Sequence, residues 1–232
     1  PSLAELIQAR LNQLPDAAQQ LLQAAAVLET DFDFVTLNHI SGLVEEETLT
    51  YLDIPLEANI LVERDSRYDF SHALVASIVR RSLSLARRSF LHRRAAAALE
   101  ALYAGQLETV AGQLARHYAQ AGRPTEAAHY AELAGQRALE LTAPAEAVAF
   151  YQQAVQLEPT PARRLGLGEA LMAEARLEEA RQQLQLAAQD FETAGDCLGA
   201  SRAYLALGFS FMVSGQGQQV VLWAEQALAI LE

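Results

Sequence analysis

The chain has 232 residues, of which 51% are hydrophobic, and a net charge of −12, so it can build one or two domains with a sizeable core. The acidity argues against a protein that binds nucleic acid along its whole length, and the lack of any run of about 18 apolar residues argues against a membrane span. Its one cysteine cannot form an internal disulfide, which is typical of the cytoplasm, and a first residue other than methionine leads us to expect a piece of a longer protein.

The first 72 residues combine short helical patterns with one pair of strand-like runs. Ser2 and Glu5 have the spacing of a capping box, which predicts the start of a helix. Apolar residues at helical spacing predict further helices after it. Two β-prone runs between residues 60 and 70 flank a polar turn and predict a hairpin. Three helices followed by a hairpin are the order of elements in a winged helix, so we predict a winged-helix-like domain over residues 1–72.

From Ala73 onward the strand signals disappear and helical patterns continue. Residues 73–106 predict two helices, which we expect to form a helical connector. Beyond it, small and aromatic residues recur at fixed offsets, and Ala147 and Ala180 are 33 residues apart, close to the ~34-residue period of tetratricopeptide (TPR) repeats. Hairpins of this kind bury their apolar faces only against their neighbours. The sequence therefore predicts a mainly α fold with an α-α superhelix of TPR-like repeats over residues 107–232.

Aromatic residues of the helical part are candidate partner contacts. Alanine and glycine at contact positions let helices approach closely, and tyrosines fill the gaps between the layers. We predict a concave face of the repeats lined by Tyr118, Tyr130, Tyr151 and nearby polar residues. A protein or a small effector would bind there.

All 17 basic residues are arginine, and six of them fall within residues 80–94. Two interpretations of this cluster remain open. In the first it is a solvated face, whose aliphatic stems cover apolar surface while the charged heads stay in water. In the second, Arg80, Arg81, Arg87 and Arg88 dock phosphate or an acidic partner surface, for which guanidinium groups are well suited.

Patterns that would indicate catalysis or metal binding are weak. The glycines at 166–168 and 215–217 lack the remaining residues of a phosphate-binding loop. The five histidines lack H-x-x-x-H spacing, and Cys197 has no partner cysteine nearby. Ser71 and His72 are adjacent, but adjacency does not make a catalytic triad. We expect no catalytic residue, no metal and no cofactor in this chain.

A resemblance to a known family rests on the phrases "LPDAAQQLLQAAAVLETDFDFVTL", "LEANILVERDSRYDFSHALVASIVRRSL" and "RRSFLHRRAAAALE", followed by the repeats. Together they resemble the C-terminal region of STAND-type signalling ATPases, the bacterial relatives of NB-ARC switch proteins that include MalT-like and AfsR-like regulators. In that family a P-loop domain binds ATP or ADP, a winged helix packs against it, and a superhelical repeat region senses or recruits partners. The resemblance implies that this chain is the winged helix plus sensor, with ATP or ADP bound by an upstream nucleotide-binding module.

The same resemblance implies a role for His72. Phe70, Ser71 and His72 match the M-H-D signature of NB-ARC winged helices, in which the histidine approaches the β-phosphate of the nucleotide. His72 would then contact ADP and hold the closed state, while Ala73 replaces the aspartate of the signature. The alternative is that His72 only joins the hairpin to the next helix through a backbone hydrogen bond.

Two other functions remain open beside a non-catalytic regulatory fragment. One is a plain TPR scaffold for protein interactions, and the other is a DNA-binding winged-helix regulator. The predicted third helix, residues 45–59, lacks basic residues. Its carboxylates, which would be repelled by phosphate, are Glu45, Glu46, Glu47, Asp53 and Glu57. We therefore do not expect DNA as a partner of this fragment.

Overall fold

The computed structural model describes residues 2–28 and 31–231, and these residues are mainly helical. The predicted mainly α fold with helical repeats is confirmed. The chain forms two compact units. The first unit comprises Pro1–Gly105 and His117–Gly122, and the second comprises Gln106–Arg116 and Arg123–Glu232. Within the described ranges, no helix is both long enough and apolar enough to cross a membrane.

The first unit contains a short sheet among helices. Its elements in chain order are α1 (Leu3–Leu11), α2 (Asp16–Leu28), β1 (Phe32–Asp33), α3 (Phe34–Ser41), α4 (Glu45–Glu57), β2 (Leu61–Arg64), β3 (Arg67–Phe70), α5 (Ala73–Ser82) and α6 (Leu85–Leu102). The predicted capping box starts α1: the backbone N–H of Ser2 donates to Glu5 (2.7 Å), and the N–H of Glu5 donates to the Ser2 hydroxyl (3.3 Å). Residues 73–106, predicted as a connector, largely fall within this unit as α5 and α6.

The three strands pair as one antiparallel sheet in the order β1-β3-β2. Leu61 of β2 lies opposite Phe70 of β3, so the hairpin occupies the segment in which the sequence predicts one. Its turn is tight because both central residues, Asp65 and Ser66, adopt positive φ angles of 48° and 66°. Turns with two such residues match the natural twist of paired strands.

Helix α2 lies at the centre of the first unit and packs against α3, α4, α5 and α6. Its side chains Leu21, Leu22 and Ala25 are buried. Arginines from other elements hold the C-terminal ends of helices in this unit by donating to carbonyl groups that have no partner within their own helix. The pairs are Arg10 Nη2 to Ala58 O, Arg80 Nε to Ala26 O (3.1 Å) and Arg94 Nη2 to His39 O (2.7 Å).

The second unit is a stack of helical hairpins. Helix α7 (Ala111–Gln120) begins in this unit and ends in the first. Beyond a short 3-10 turn (Leu107–Thr109), the other helices of the unit are α8 (Pro124–Glu140), α9 (Pro144–Leu157), α10 (Pro161–Ala173), α11 (Leu177–Thr193), α12 (Cys197–Val213) and α13 (Gly217–Ala229). Consecutive helices from α8 to α13 pack together, and the first helices of the hairpins, α8, α10 and α12, also contact one another in sequence. Such contacts between alternate helices are what a stack of repeats requires.

One turn conformation recurs between helices of this unit. Its first residue adopts a left-handed φ, and the next residue donates its N–H to a carbonyl five positions earlier, which is a Schellman C-cap. The left-handed residues are Thr142, Ala175, Gly195 and Gly215. The four closing bonds, each 2.9 Å long, run from Ala143, Arg176, Asp196 and Gln216 to Ala138, Leu171, Phe191 and Phe211.

Replacing Ala175 with glycine is expected to stabilise the protein. At its φ of 62° the alanine Cβ lowers the stability of the fold by about 1 kcal/mol. Glycine removes this strain, but it also makes the unfolded chain more flexible, which offsets part of the gain. We expect Ala175→Gly to raise the free energy of unfolding by about 0.5 kcal/mol, measured by urea denaturation. Gly195→Ala, at a φ of 72° in open space, is the matched control and should lower it. Equal signs for the two changes would contradict this account of the turns.

Tyr151 fills the space between three helices. Its ring lies between Gly135 of α8 and Gly166 of α10. A Cβ at Gly135 would lie 2.7 Å from the ring, and a Cβ at Gly166 would overlap it. Glycine at these two positions therefore lets α8 and α10 close over the tyrosine, which is only 7% exposed.

Candidate functional site

The second unit carries a groove along α8, α10 and α12, the first helices of its hairpins. The groove encloses about 470 Å³, which is within the usual size of ligand sites. Its polar lining comes from all three helices. The residues that define its chemistry are Glu132, Gln136, Leu165, Glu169, Leu198 and Arg202.

Two of the carboxylates in the groove are engaged within the protein. Glu132 accepts a hydrogen bond from Nε of the buried Arg163 at 2.9 Å. Asp196 caps α12 by accepting the N–H of Gly199 at 2.9 Å. Neither group is therefore fully available to a ligand.

Glu169 and Arg202 are the other charged residues of the groove. Glu169 of α10 is half-buried, whereas Arg202 of α12 is exposed. Burial raises the pKa of the Glu169 carboxyl, and the charge of Arg202 offsets this effect only in part. Among the described residues, neither side chain forms a salt bridge. The groove thus presents one anion and one cation that act on each other through their charges without a direct salt bridge.

The start of α12 forms an apolar rim of the groove. Leu198 is 67% exposed although it is a large hydrophobic side chain. Cys197, the chain's one cysteine, precedes it and is also exposed. An exposed leucine beside charged groups provides contact area for an apolar part of a ligand.

The three tyrosines predicted to bind a partner are largely packed within their own units. Tyr118 belongs to the first unit, is half-buried and donates its hydroxyl to Glu100 at 2.8 Å. Tyr130 and Tyr151 are 8% and 7% exposed. Burial, together with the charges of Glu132 and Glu169, raises the pKa of Tyr151 to about 12. The structure assigns Tyr130 and Tyr151 to packing between helices, because their buried rings leave little surface for a partner.

Most arginines of the cluster form hydrogen bonds or cation–π contacts within the first unit. Arg80 holds the end of α2, and Nε of Arg87 donates to Gln23 at 3.4 Å. The guanidinium groups of Arg87, Arg93 and Arg94 also lie 5.7–5.8 Å from the ring centroid of Phe90, within the range of cation–π attraction. These contacts give Arg80, Arg87 and Arg94 structural roles that differ from a solvated face, because their charged heads bond or stack within the unit. Docking through the exposed Arg81 and the half-buried Arg88 stays a prediction.

His72 is the N-cap residue of α5, and its side chain is exposed. Its carbonyl accepts the N–H of Val75 at 2.9 Å, and its imidazole makes no capping hydrogen bond. His72 lines a cavity of about 510 Å³ in the first unit, together with Arg10 and with apolar side chains that include Leu3 and Ile7. The imidazole is therefore accessible at a helix N-terminus, and Arg10 lines the same cavity.

A buried histidine pair lies elsewhere in the first unit. His92 and His117 are 5% and 0% exposed, and their Nδ1 atoms are 2.9 Å apart. An Nδ1–Nδ1 hydrogen bond needs one donor and one acceptor, so at least one ring is neutral. Within the residues that the structure describes, no group of three His, Cys, Asp or Glu side chains could hold a metal ion.

Sequence reasoning missed Arg10, Glu169 and Arg202. Glu169 follows Gln136 by 33 residues, the same interval that separates Ala147 and Ala180, and both Gln136 and Glu169 line the groove. Applying the 33-residue interval to polar residues as well as to alanines would have identified Glu169. The sequence gives no comparable signal for Arg10, which reaches its cavity through the packing of α1 on α5.

No protein-family model matches the chain, and no curated protein matches it. The solved structures that are similar to the chain include the following two. BtubC from P. vanneervenii is 17% identical, with a TM-score of 0.39, over 68% of this chain and 77% of that one. A signal transduction ATPase with numerous domains (STAND) that has a tetratricopeptide repeat sensor, from Pyrococcus horikoshii, is 10% identical, with a TM-score of 0.40, over 99% of this chain and 46% of that one. Both TM-scores are low, so neither likeness identifies the function of the chain.

Proposed function

We propose that the chain is the non-catalytic regulatory and sensor part of a STAND-type signalling ATPase. In this proposal a winged helix couples the nucleotide state of an upstream module to TPR-like repeats that bind a protein or a small effector. The order α2-β1-α3-α4-β2-β3 supports a winged helix, since it places three helices before a hairpin and pairs β1 with the last strand. The sequence resemblance to STAND-type ATPases is the second support.

The observation that carries the nucleotide role is the position of His72. The N-terminus of a helix attracts anions because its first N–H groups lack partners within the helix. The first turn of α5 contains no acidic residue, and Arg10 lines the same cavity. An imidazole, a guanidinium group and a helix N-terminus together suit a phosphate of ADP.

Regulation would follow from a population shift between two arrangements of the parent protein. ADP would favour the closed arrangement through the contact with His72, and an effector on the repeats would favour the open one. Such coupling is reciprocal, so bound ADP would weaken effector binding by the same factor by which the effector weakens ADP binding.

DNA recognition has less support than nucleotide sensing. Helix α4, which would be the recognition helix of a DNA-binding winged helix, exposes Glu46, Asp53 and Glu57. These carboxylates would face the phosphates of any DNA groove that the helix entered. The surface of α4 is therefore better suited to a protein partner than to DNA.

His72→Ala should speed the release of ADP from the full-length protein that contains this chain. Loss of one hydrogen bond to a charged phosphate costs about 1.5 kcal/mol, which corresponds to about a tenfold faster release. Release would be followed with a fluorescent ADP analogue chased by unlabelled ADP. His39→Ala is the matched control, because His39 is also exposed and its Nδ1 contacts the carbonyl of Val35 four residues earlier. Equal release rates in the two variants would reject the nucleotide role of His72.

A further inference from the structure

Helix α12 exposes a stripe of large apolar side chains. Leu198, Leu205, Phe209 and Met212 are each between 51% and 67% exposed. Steps of seven, four and three residues keep these four side chains on one face of the helix. The exposed Arg202 lies on the same face, and together the five residues form the α12 stripe. An exposed apolar patch of this kind marks a surface that another macromolecule covers.

The α12 stripe departs from the pattern of the preceding hairpins. The first helix of each hairpin carries a glycine that faces the second helix, and these glycines are Gly135, Gly168 and Gly208. The residue after the glycine is Gln136 in α8 and Glu169 in α10, and both line the polar groove. In α12 it is Phe209, which is 51% exposed. If another hairpin stacked on α12 as α12 stacks on α10, the ring would line a polar groove. A phenylalanine therefore favours a partner that covers this face of α12 directly.

The residues of the α12 stripe are arranged almost symmetrically about Leu205. Leu198 lies seven residues before it and Met212 lies seven residues after it, while Arg202 and Phe209 lie three before and four after. If two such helices pack antiparallel about a two-fold axis at Leu205, Leu198 of one copy meets Met212 of the other. Because a helix rises about 1.5 Å per residue, Arg202 then lies within about 1.5 Å of the height of Phe209 of the other copy. A guanidinium group beside an aromatic ring is a favourable pair.

We propose that the α12 stripe binds the same stripe of a second copy of this chain, with the two α12 helices antiparallel. A second copy is the occupant that the stripe fits, because each of its members meets a suitable counterpart in the stripe itself. Arg202 is also attracted by Glu169 of its own chain, and a neighbouring ring leaves that attraction in place. The inference does not depend on the proposed function.

The area of the stripe is enough for a weak dimer. Its four apolar side chains, each half exposed or more, offer roughly 100 Å² apiece, and Arg202 adds its aliphatic stem. The contact would bury roughly 1,000 Å² over both copies, which is the lower limit for a specific interface. We therefore expect a dimer that forms reversibly as the concentration of the chain rises.

Sedimentation equilibrium of this chain would measure the dimer. We expect a dissociation constant of about 50 μM for the wild type. Leu205→Arg should weaken the dimer at least about tenfold, because two like charges meet at the axis. Phe209→Gln should weaken it about tenfold, because both contacts between Arg202 and Phe209 are lost. Leu186→Arg is the matched control and should leave the dissociation constant unchanged, since Leu186 of α11 is also exposed and lies outside the stripe.

Disulfide cross-linking in a Cys197→Ser background tests the antiparallel register. A mixture of the Leu198→Cys and Met212→Cys variants should form cross-linked dimers on mild oxidation, because these two positions face each other in the dimer. Either variant alone should cross-link far less, since its cysteine would lie about 21 Å along the helix from the same cysteine of the other copy. Circular dichroism would verify that each variant is folded.

Three outcomes would overturn the proposal. A chain that stays monomeric up to about 300 μM, well above the expected dissociation constant, does not pair through α12, and another protein then covers the stripe. Equal dimerisation of Leu205→Arg and the wild type would place the contact elsewhere. Cross-linking of either cysteine variant alone, as strong as that of the mixture, would exclude the antiparallel arrangement.

Discussion

Replacing Gly166 with valine is expected to lower the free energy of unfolding by about 3 kcal/mol, the upper end of the usual range for overpacking. The ring of Tyr151 occupies the space that the new side chain needs, and Gly135 lines the other face of that ring. The tyrosine cannot move aside, because α8 and α10 confine it from both directions. The cost should therefore appear as lost stability of the second unit.

Urea denaturation followed by circular dichroism would measure this loss. Gly217→Ala is the matched control, since Gly217 begins α13 in open space, and alanine there should be neutral or slightly stabilising. The double variant Tyr151→Ala with Gly166→Val should lose less stability than the sum of the losses of the two single variants. The reason is that the valine then enters the space that the tyrosine ring has left. An unchanged midpoint for Gly166→Val would show that the helices separate freely.

Arg181→Ala is expected to cost about 3 kcal/mol, because it removes several hydrogen bonds that a buried charged group donates. Arg181 of α11 is 8% exposed and binds the C-terminal end of α12. It donates to the carbonyl of Ser210 (3.0 Å), to the hydroxyl of Ser210 (3.2 Å) and to the hydroxyl of Ser214 (2.5 Å). Its guanidinium carbon also lies 4.0 Å from the ring centroid of Phe211.

The same denaturation experiment shows whether the geometry of the Arg181 guanidinium or only its positive charge stabilises the end of α12. Arg181→Lys keeps the charge but cannot reproduce several directed N–H bonds and the planar contact with Phe211, so it should recover little of the loss. Arg176→Ala is the control, because Arg176 forms its salt bridges with Glu174 and Glu179 at the surface, where they contribute little. Full recovery by lysine would mean that the charge alone stabilises the end of α12.

The sequence predicts the elements that have a local signal. The hairpin at 60–70 follows from two β-prone runs around a polar turn, and the repeats follow from small residues at a constant interval. Strand β1 has no such signal, because two residues are too few for a pattern. Phe32 and Asp33 become a strand only by pairing with Tyr68 and Arg67 of β3.

The candidate site was less predictable, because the sequence does not tell which face of a helix points outward. The sequence predicts Tyr151 as a partner contact, whereas the structure places its ring between Gly135 and Gly166. The arginines pose the same difficulty, since the bond from Arg80 reaches Ala26, 54 residues earlier in the chain. Glu169 and Arg202 can be recognised as neighbours only in the structure, where α10 and α12 bring them to one groove.

The position of Cys197 makes the groove accessible to site-specific labelling. It is the chain's only thiol, it is exposed, and it directly precedes Leu198 at the apolar rim. A maleimide-linked dye would attach there without any engineered residue, and its emission would change when a ligand covers the leucine. The natural sequence therefore already contains the attachment point for an optical binding assay.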